Sequence, residues 1–261
     1  MFYAALFTDY MKNYVKTKLT YRADFWVEVL SDLLFQGINL LFITVVFLHT
    51  PVLGGWTQAE VLFIYGYFMV PYGIFSCFFN LWGFSERYIV KGELDRVLTR
   101  PAHNLAQLIL ENMDPPALAG SIVGLVIMGS AWHSAGMEFV WYDPFVFVLL
   151  TLGSVLIYGG IYLIFTAISF YIDAPTGILP LIWNLQNYGR YPVTIYNRLL
   201  TALLTWVLPF AFVGFYPAAY FLDKTNWGAM ALLTPAVGAG FAGAGLLFWN
   251  YGIRRYRGAG S

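Results

Sequence analysis

Apolar residues run along this chain in long unbroken stretches, without the alternation of a half-buried strand. Six stretches approach the roughly 20 residues a helix needs to cross a hydrocarbon core. They span about Phe25–Leu48, Val61–Trp82, Ala117–Trp132, Pro144–Tyr171, Leu199–Tyr220 and Trp227–Tyr251. A membrane β-barrel would show only short alternating segments, so the pattern predicts helices. The expected fold is an all-α integral membrane protein, a single transmembrane domain over residues 1–261 with six transmembrane helices. Ahead of the first span, residues 1–22 carry Phe2, Tyr3, Leu6, Phe7, Tyr10, Tyr14 and Val15 at helical spacing, with Asp9, Lys12 and Lys16 opposite. This predicts an amphipathic interfacial helix in the headgroup region.

Composition agrees with the spans. Hydrophobic residues make up 59% of the chain and charged residues 11%, less than half the share usual in soluble domains. Charge position then sets orientation. With six spans both termini share one side. If that side is cytoplasmic, it collects Lys12, Lys16, Lys18, Arg22, Arg87, Lys91, Arg96, Arg100, Arg190, Arg198, Arg254, Arg255 and Arg257, leaving only Lys224 outside. The outer connections, about His49–Glu60, His133–Asp143 and Leu222–Asn226, are short. The larger ones, about Gly83–Pro116 and Asp173–Arg198, are expected in the cytoplasm. The first residues lack a signal-peptide pattern, so the N-terminus is expected to be retained.

Little in the sequence points to catalysis. There is no G-x-x-x-x-G-K-[ST] loop, so ATP cannot be handled by that route. His49, His103 and His133 fall on separate loops, no H-E-x-x-H is present, and Cys77 is the single cysteine. A metal site, a disulfide, an enzyme activity and a nucleic-acid partner are therefore not expected, nor is any cofactor in this chain.

Within the spans, Glu28 and Asp32 lie four residues apart on one helix face. They either face a cavity or sit solvated in the headgroup zone. Gly120-Ser-Ile-Val-Gly124 and the small-residue run Gly238–Gly245 read as close helix packing. Pro71 predicts a kink or a cavity wall in the second span. Pro209 and Pro217, with Gly214 between them, predict a broken helix or re-entrant turn at the outer end of the fifth. Glu28, Asp32, Pro71, Pro209 and Pro217 are the candidates for a substrate path.

The connection over residues 83–116 carries unusual charge. Ser85 is expected to cap a short helix over Glu86–Lys91, Gly92 to end it, and a second short helix to stop before Pro101. Mixed charges interleaved with apolar residues suit a docking surface better than a topology signal, which needs only Lys and Arg. The run Lys91-Gly-Glu-Leu-Asp-Arg-Val-Leu-Thr-Arg-Pro101 resembles the loop of the ABC-2 family of transporter permeases, in the six-span branch with a KGELD-x-x-L-x-RP motif. Tyr191-Pro-Val-Thr-Ile-Tyr196, Leu208-Pro-Phe-Ala-Phe212 and Tyr216-Pro217 look like the same branch.

The resemblance implies a multi-pass permease of the bacterial cytoplasmic membrane, with both termini cytoplasmic. It implies two copies of a cytoplasmic ABC ATPase that supply ATP and Mg chemistry, and a second permease subunit as homodimer or heterodimer. The short helix after the second span would be the coupling helix. Glu86, Arg87, Ile89, Val90, Lys91, Glu93, Leu94, Asp95 and Arg96 would be its docking residues. The cargo would be a small hydrophobic, aromatic or cationic compound, since some members export viologen-type cations. The competing reading is an ion- or proton-coupled carrier or channel that works without an ATPase.

Overall fold

The computed structural model describes residues 2–172 and 178–256. Asp173, Arg257 and the side chains of Phe2 and Tyr3 lie outside the described residues. The regular structure of the described chain is all helical, apart from one isolated bridge between Leu53 and Trp56. Helix α1 (Phe2–Thr20) is followed by α2 (Arg22–His49), with a bend at Tyr21. Then come α3 (Gln58–Phe78), α4 (Glu93–Leu98), α5 (Asn104–Glu111), α6 (Leu118–Ser134), α7 (Asp143–Ala167) and α8 (Ile178–Gln186). The chain closes with α9 (Arg198–Ala202), α10 (Phe215–Phe221), α11 (Thr225–Ala231) and α12 (Thr234–Ile253). Five segments are long and apolar enough to cross a membrane, on α2, α3, α6, α7 and α11–α12. A sixth candidate is the bent pair Arg198–Val207 and Phe210–Phe221.

Small residues decide how closely these helices pack. On α7 and α12, Gly153 and Gly160 lie opposite Gly238 and Gly245, two glycine pairs at matched seven-residue spacing. A Cβ on Gly245 would stand 2.8 Å from the Gly160 carbonyl oxygen. Gly66 and Gly124 bring α3 and α6 equally near, and Ser121 donates to the Val70 carbonyl at 2.8 Å across that seam. In lipid, helices gain little from apolar burial alone, so such backbone approach carries the association. By contrast α2 has one buried residue, Ile43, and exposes Leu30, Leu34, Ile38, Leu41, Phe42 and Leu48.

The structure departs from the sequence reading between residues 178 and 221. That reading places Arg190 and Arg198 on a cytoplasmic loop and makes 199–220 the fifth span. In the structure Arg190 is buried in the bundle and donates to Asn39 of α2 at 2.6 Å. Four residues on, Thr194 accepts from Trp56 Nε1 at 2.8 Å, and Ile195 lies against Gly54. Trp56 and Gly54 belong to the α2–α3 connection, at the far end of the bundle from residues 83–114. The bent pair therefore starts at that end. It also finishes there, because Lys224 pairs with Glu60 at 2.7 Å. Its two halves meet at 74° around Pro209. The stretch that runs between the two ends is α8 with residues 187–196, and 198–221 is a hairpin dipping in from the far end. Without Arg190 and Arg198, ten cations remain at the near end among the described residues, so the charge asymmetry survives.

Candidate functional site

Two features of the bundle could carry function: the charged connection at its near end and a cavity beside α2. The connection begins with a single wide π-helical turn over Ser85–Val90. Ser85 does not cap it, because its side chain is buried and its hydroxyl has no partner. Gly92, at φ +73°, ends the turn in the left-handed conformation that favours glycine. Helix α4 follows, then α5, which the sequence pattern does not announce.

These short helices are rooted in the bundle. Leu81, Phe84, Tyr88, Leu94, Val97, Leu105 and Leu108 form one apolar cluster with Leu163, Ala167 and Trp249 from the near ends of α7 and α12. The Trp249 ring lies 5.3 Å from Phe84 and 5.0 Å from Phe170, and its indole donates to Asn104. Leu94 is fully buried here, so its apolar surface is spent within the chain and is not offered to a partner.

Glu111, a residue the sequence reading passed over, is the electrostatic centre of the loop. Its carboxylate takes Arg87 at 2.9 Å and also pairs with Arg96, while Arg87 reaches Glu93 at 2.9 Å. Arg87 and Arg96 are held firmly protonated by these carboxylates. What stays on the outside is Glu86 with Lys91, paired at 2.9 Å, together with Val90, Asp95 and Arg96. Ile89 is half-buried against the cluster. The candidate docking residues thus divide into an inward set (Arg87, Glu93, Leu94) and an outward set. Arg100 ties the loop to α1 through the Tyr10 hydroxyl at 3.0 Å.

The cavity has a volume of about 850 Å³ and is bounded by α2, α3, α6, α7 and the α8 segment. Its walls are aromatic, with Phe35, Phe68, Tyr72, Phe79 and Trp183 among them, and Asp32, Asp114 and Arg190 supply charge. Of the five path candidates only Asp32 lines it. Glu28 pairs with Lys18 of α1 and lines an adjoining polar pocket of about 520 Å³. Pro71, Pro209 and Pro217 are buried and line neither space. Asn80 and Asp114 border both spaces and so stand between them. The Asp114 carboxyl is pushed up to about 6, first by burial and then by the negative Glu28 and Asp32, against the pull of Lys18.

The polar residues of the α8 segment, missed as cavity elements, find partners within the protein for part of their polar atoms, with Gln186 Nε2 and Arg190 Nε left over. The Tyr162 hydroxyl donates to Gln186 Oε1 at 2.8 Å, and Arg190 also bonds Asn187. Such pairing makes a polar stretch tolerable in the interior of a membrane bundle. A mixture of Asn, Gln and Arg in an otherwise apolar segment was the available signal.

Set beside known proteins, the chain matches the family described as ABC-2 family transporter protein over residues 33–260. No curated protein and no solved structure matches it. The matched stretch takes in the charged connection, the cavity lining apart from Ser31 and Asp32, and nearly all of the bundle. The chain therefore belongs to the ABC-2 family of transporter proteins.

Proposed function

We propose that this chain is the membrane subunit of an ATP-driven exporter of a small hydrophobic, aromatic or cationic compound. Family membership across 33–260 is the observation that carries the reading. ATP and Mg would be bound by a separate ATPase in two copies, and a second permease, of the same or another chain, would complete the path. The near end then faces the cytoplasm of a bacterial inner membrane, with α1 lying at the interface. The outward residues Glu86, Val90, Lys91, Asp95 and Arg96 form the docking face for the ATPase. The hairpin 198–221 closes the outer side. Alternating charges give such a face register more than raw affinity.

The experiment is co-purification of the tagged chain with its ATPase, followed by reconstitution. A stoichiometric ATPase and ATP-dependent transport are expected. Reversing charge at the outward residues Glu86, Lys91 and Asp95 together should leave ATP hydrolysis uncoupled from transport while the bundle stays folded. Undiminished substrate-stimulated hydrolysis and transport in that variant would refute the docking assignment.

A further inference from the structure

Arg190 presents a problem that the transporter reading does not solve. Its guanidinium side chain is buried to 7% exposure and lines the cavity. No carboxylate among the described residues pairs with it. Two of its nitrogens donate to the neutral side-chain carbonyls of Asn39 and Asn187, and Nε has no partner at all. The guanidinium also lies 5.9 Å and 5.5 Å from the Tyr65 and Phe68 ring centroids. Neutral oxygens and ring faces only partly offset the cost of a desolvated cation. An ionisable group kept at such a depth without a counter-charge marks a site for one.

The opposite sign is built into the same cavity. Asp32 lines it, and Asn39, the residue that holds Arg190, lies seven positions further along α2. Seven residues are two helical turns, about 10 Å along the axis and nearly in line. Asp114 joins Asp32 at the lower level. Between the two levels the wall is aromatic, and Phe35 and Trp183 face each other at 6.2 Å.

We infer that this cavity takes an amphipathic zwitterion, whose anionic group meets Arg190, whose cationic group meets Asp32 and Asp114, and whose aromatic or apolar body stacks on the wall between them. The inference deepens the exporter reading and rests on it only for the word cargo. A zwitterion answers both signs of charge in the cavity at once, the buried Arg190 and the more open carboxylates, whereas a simple cation leaves Arg190 unpaired and a simple anion leaves the two carboxylates facing the ligand unpaired.

The test uses the assembled transporter in nanodiscs, without nucleotide, and three probes on one scaffold. These are 4′-(aminomethyl)biphenyl-4-carboxylic acid, the matching amine and the matching acid, with binding read by equilibrium dialysis. The zwitterion should bind at least about tenfold more tightly than either single-charge probe, the scale of one charge-assisted hydrogen bond. Arg190→Met should erase its advantage over the amine, and Asp32→Asn with Asp114→Asn its advantage over the acid. A competing arm with vesicles of zwitterionic phospholipid separates a lipid headgroup from a soluble cargo, since displacement by lipid alone would overturn the soluble assignment. Equal binding of all three probes, or an unchanged preference in Arg190→Met, refutes the inference. So does loss of permease pairing in Arg190→Met with acid binding intact, which would make Arg190 an interface ion. Because binding is read without ATP, a zwitterion preference with no ATP-dependent transport would sink the exporter reading alone.

Discussion

Removing Glu111 should loosen the charged connection without touching the bundle. Its side chain is 11% exposed and takes both Arg87 and Arg96, which are 41% and 43% exposed. A solvated pair contributes about 0.2–1 kcal/mol, and breaking a fully buried one costs about 3–5 kcal/mol. Glu111 holds two half-exposed partners from a nearly buried position, so Glu111→Ala should cost about 2 kcal/mol locally. That converts to about a thirtyfold rise in opening of the segment. Hydrogen exchange is the assay, because it resolves local from global opening. The amides of Lys91, bonded to the Glu86 carbonyl, and Thr99, bonded to the Asp95 carbonyl, should exchange about thirty times faster. Amides within α7 and α12 should not change. Glu86→Ala, which removes only the exposed pair with Lys91, should leave both regions as they are. Unchanged exchange at Lys91 and Thr99, or an equal rise throughout the bundle, would refute the reasoning.

Other outcomes follow from the same geometry. A Cβ at Gly66 would lie 2.8 Å from both the Gly124 oxygen and the Met128 nitrogen, backbone atoms that cannot swing aside. Gly66→Val should therefore cost at least about 2 kcal/mol, seen as a lower melting temperature in detergent; wild-type melting would contradict the seam. Asp114, titrating at about 6, holds its proton more tightly folded than unfolded. Stability should thus fall as pH rises from about 4 to about 6 and level off above, while binding of a cationic amine should strengthen through about pH 6. Asp114→Asn should flatten both curves, and parallel curves for the two proteins would count against the assignment. Cys77 is buried, so reporters at Lys224→Cys and Lys91→Cys can report sidedness. An impermeant maleimide should label the first from outside intact cells and the second only after lysis, and the reverse pattern would invert the topology.

How much of this was visible in the sequence depended on whether one physical rule acted alone. The five long apolar helices lie where apolar runs are uninterrupted, because burial in lipid leaves the chain no cheaper choice than a helix. The rule failed where two effects competed. Residues 178–196 read as an aqueous loop because Asn184, Gln186, Asn187 and Arg190 carry polar groups. Yet Tyr162 and Asn39, distant in sequence, supply partners that let the segment run through the bundle. Residues 199–220 read as a span because they are apolar. Pro209 and Gly214 mark the turn, but no local signal tells which end each half returns to. That is fixed by Trp56 with Thr194 and Glu60 with Lys224. The cavity was legible only at Asp32, since its other walls come from four further elements.

The glycine pairs between α7 and α12 have a mechanical consequence. Two helices interlocked at Gly153–Gly238 and Gly160–Gly245 cannot slide without backbone collision. The Trp249 cluster then fastens the connection 81–108 to the foot of that same pair. A push received at Lys91 would be carried the full height of the molecule by a stiff strut, not absorbed by the link to α3. We infer that the compliance lies elsewhere, in α2 with its single buried residue. Spin labels at positions 91 and 236, the latter at the far end of α12, would then keep their separation through an ATP cycle while the distance from either to α2 changes. A varying 91–236 distance would show the strut to be soft.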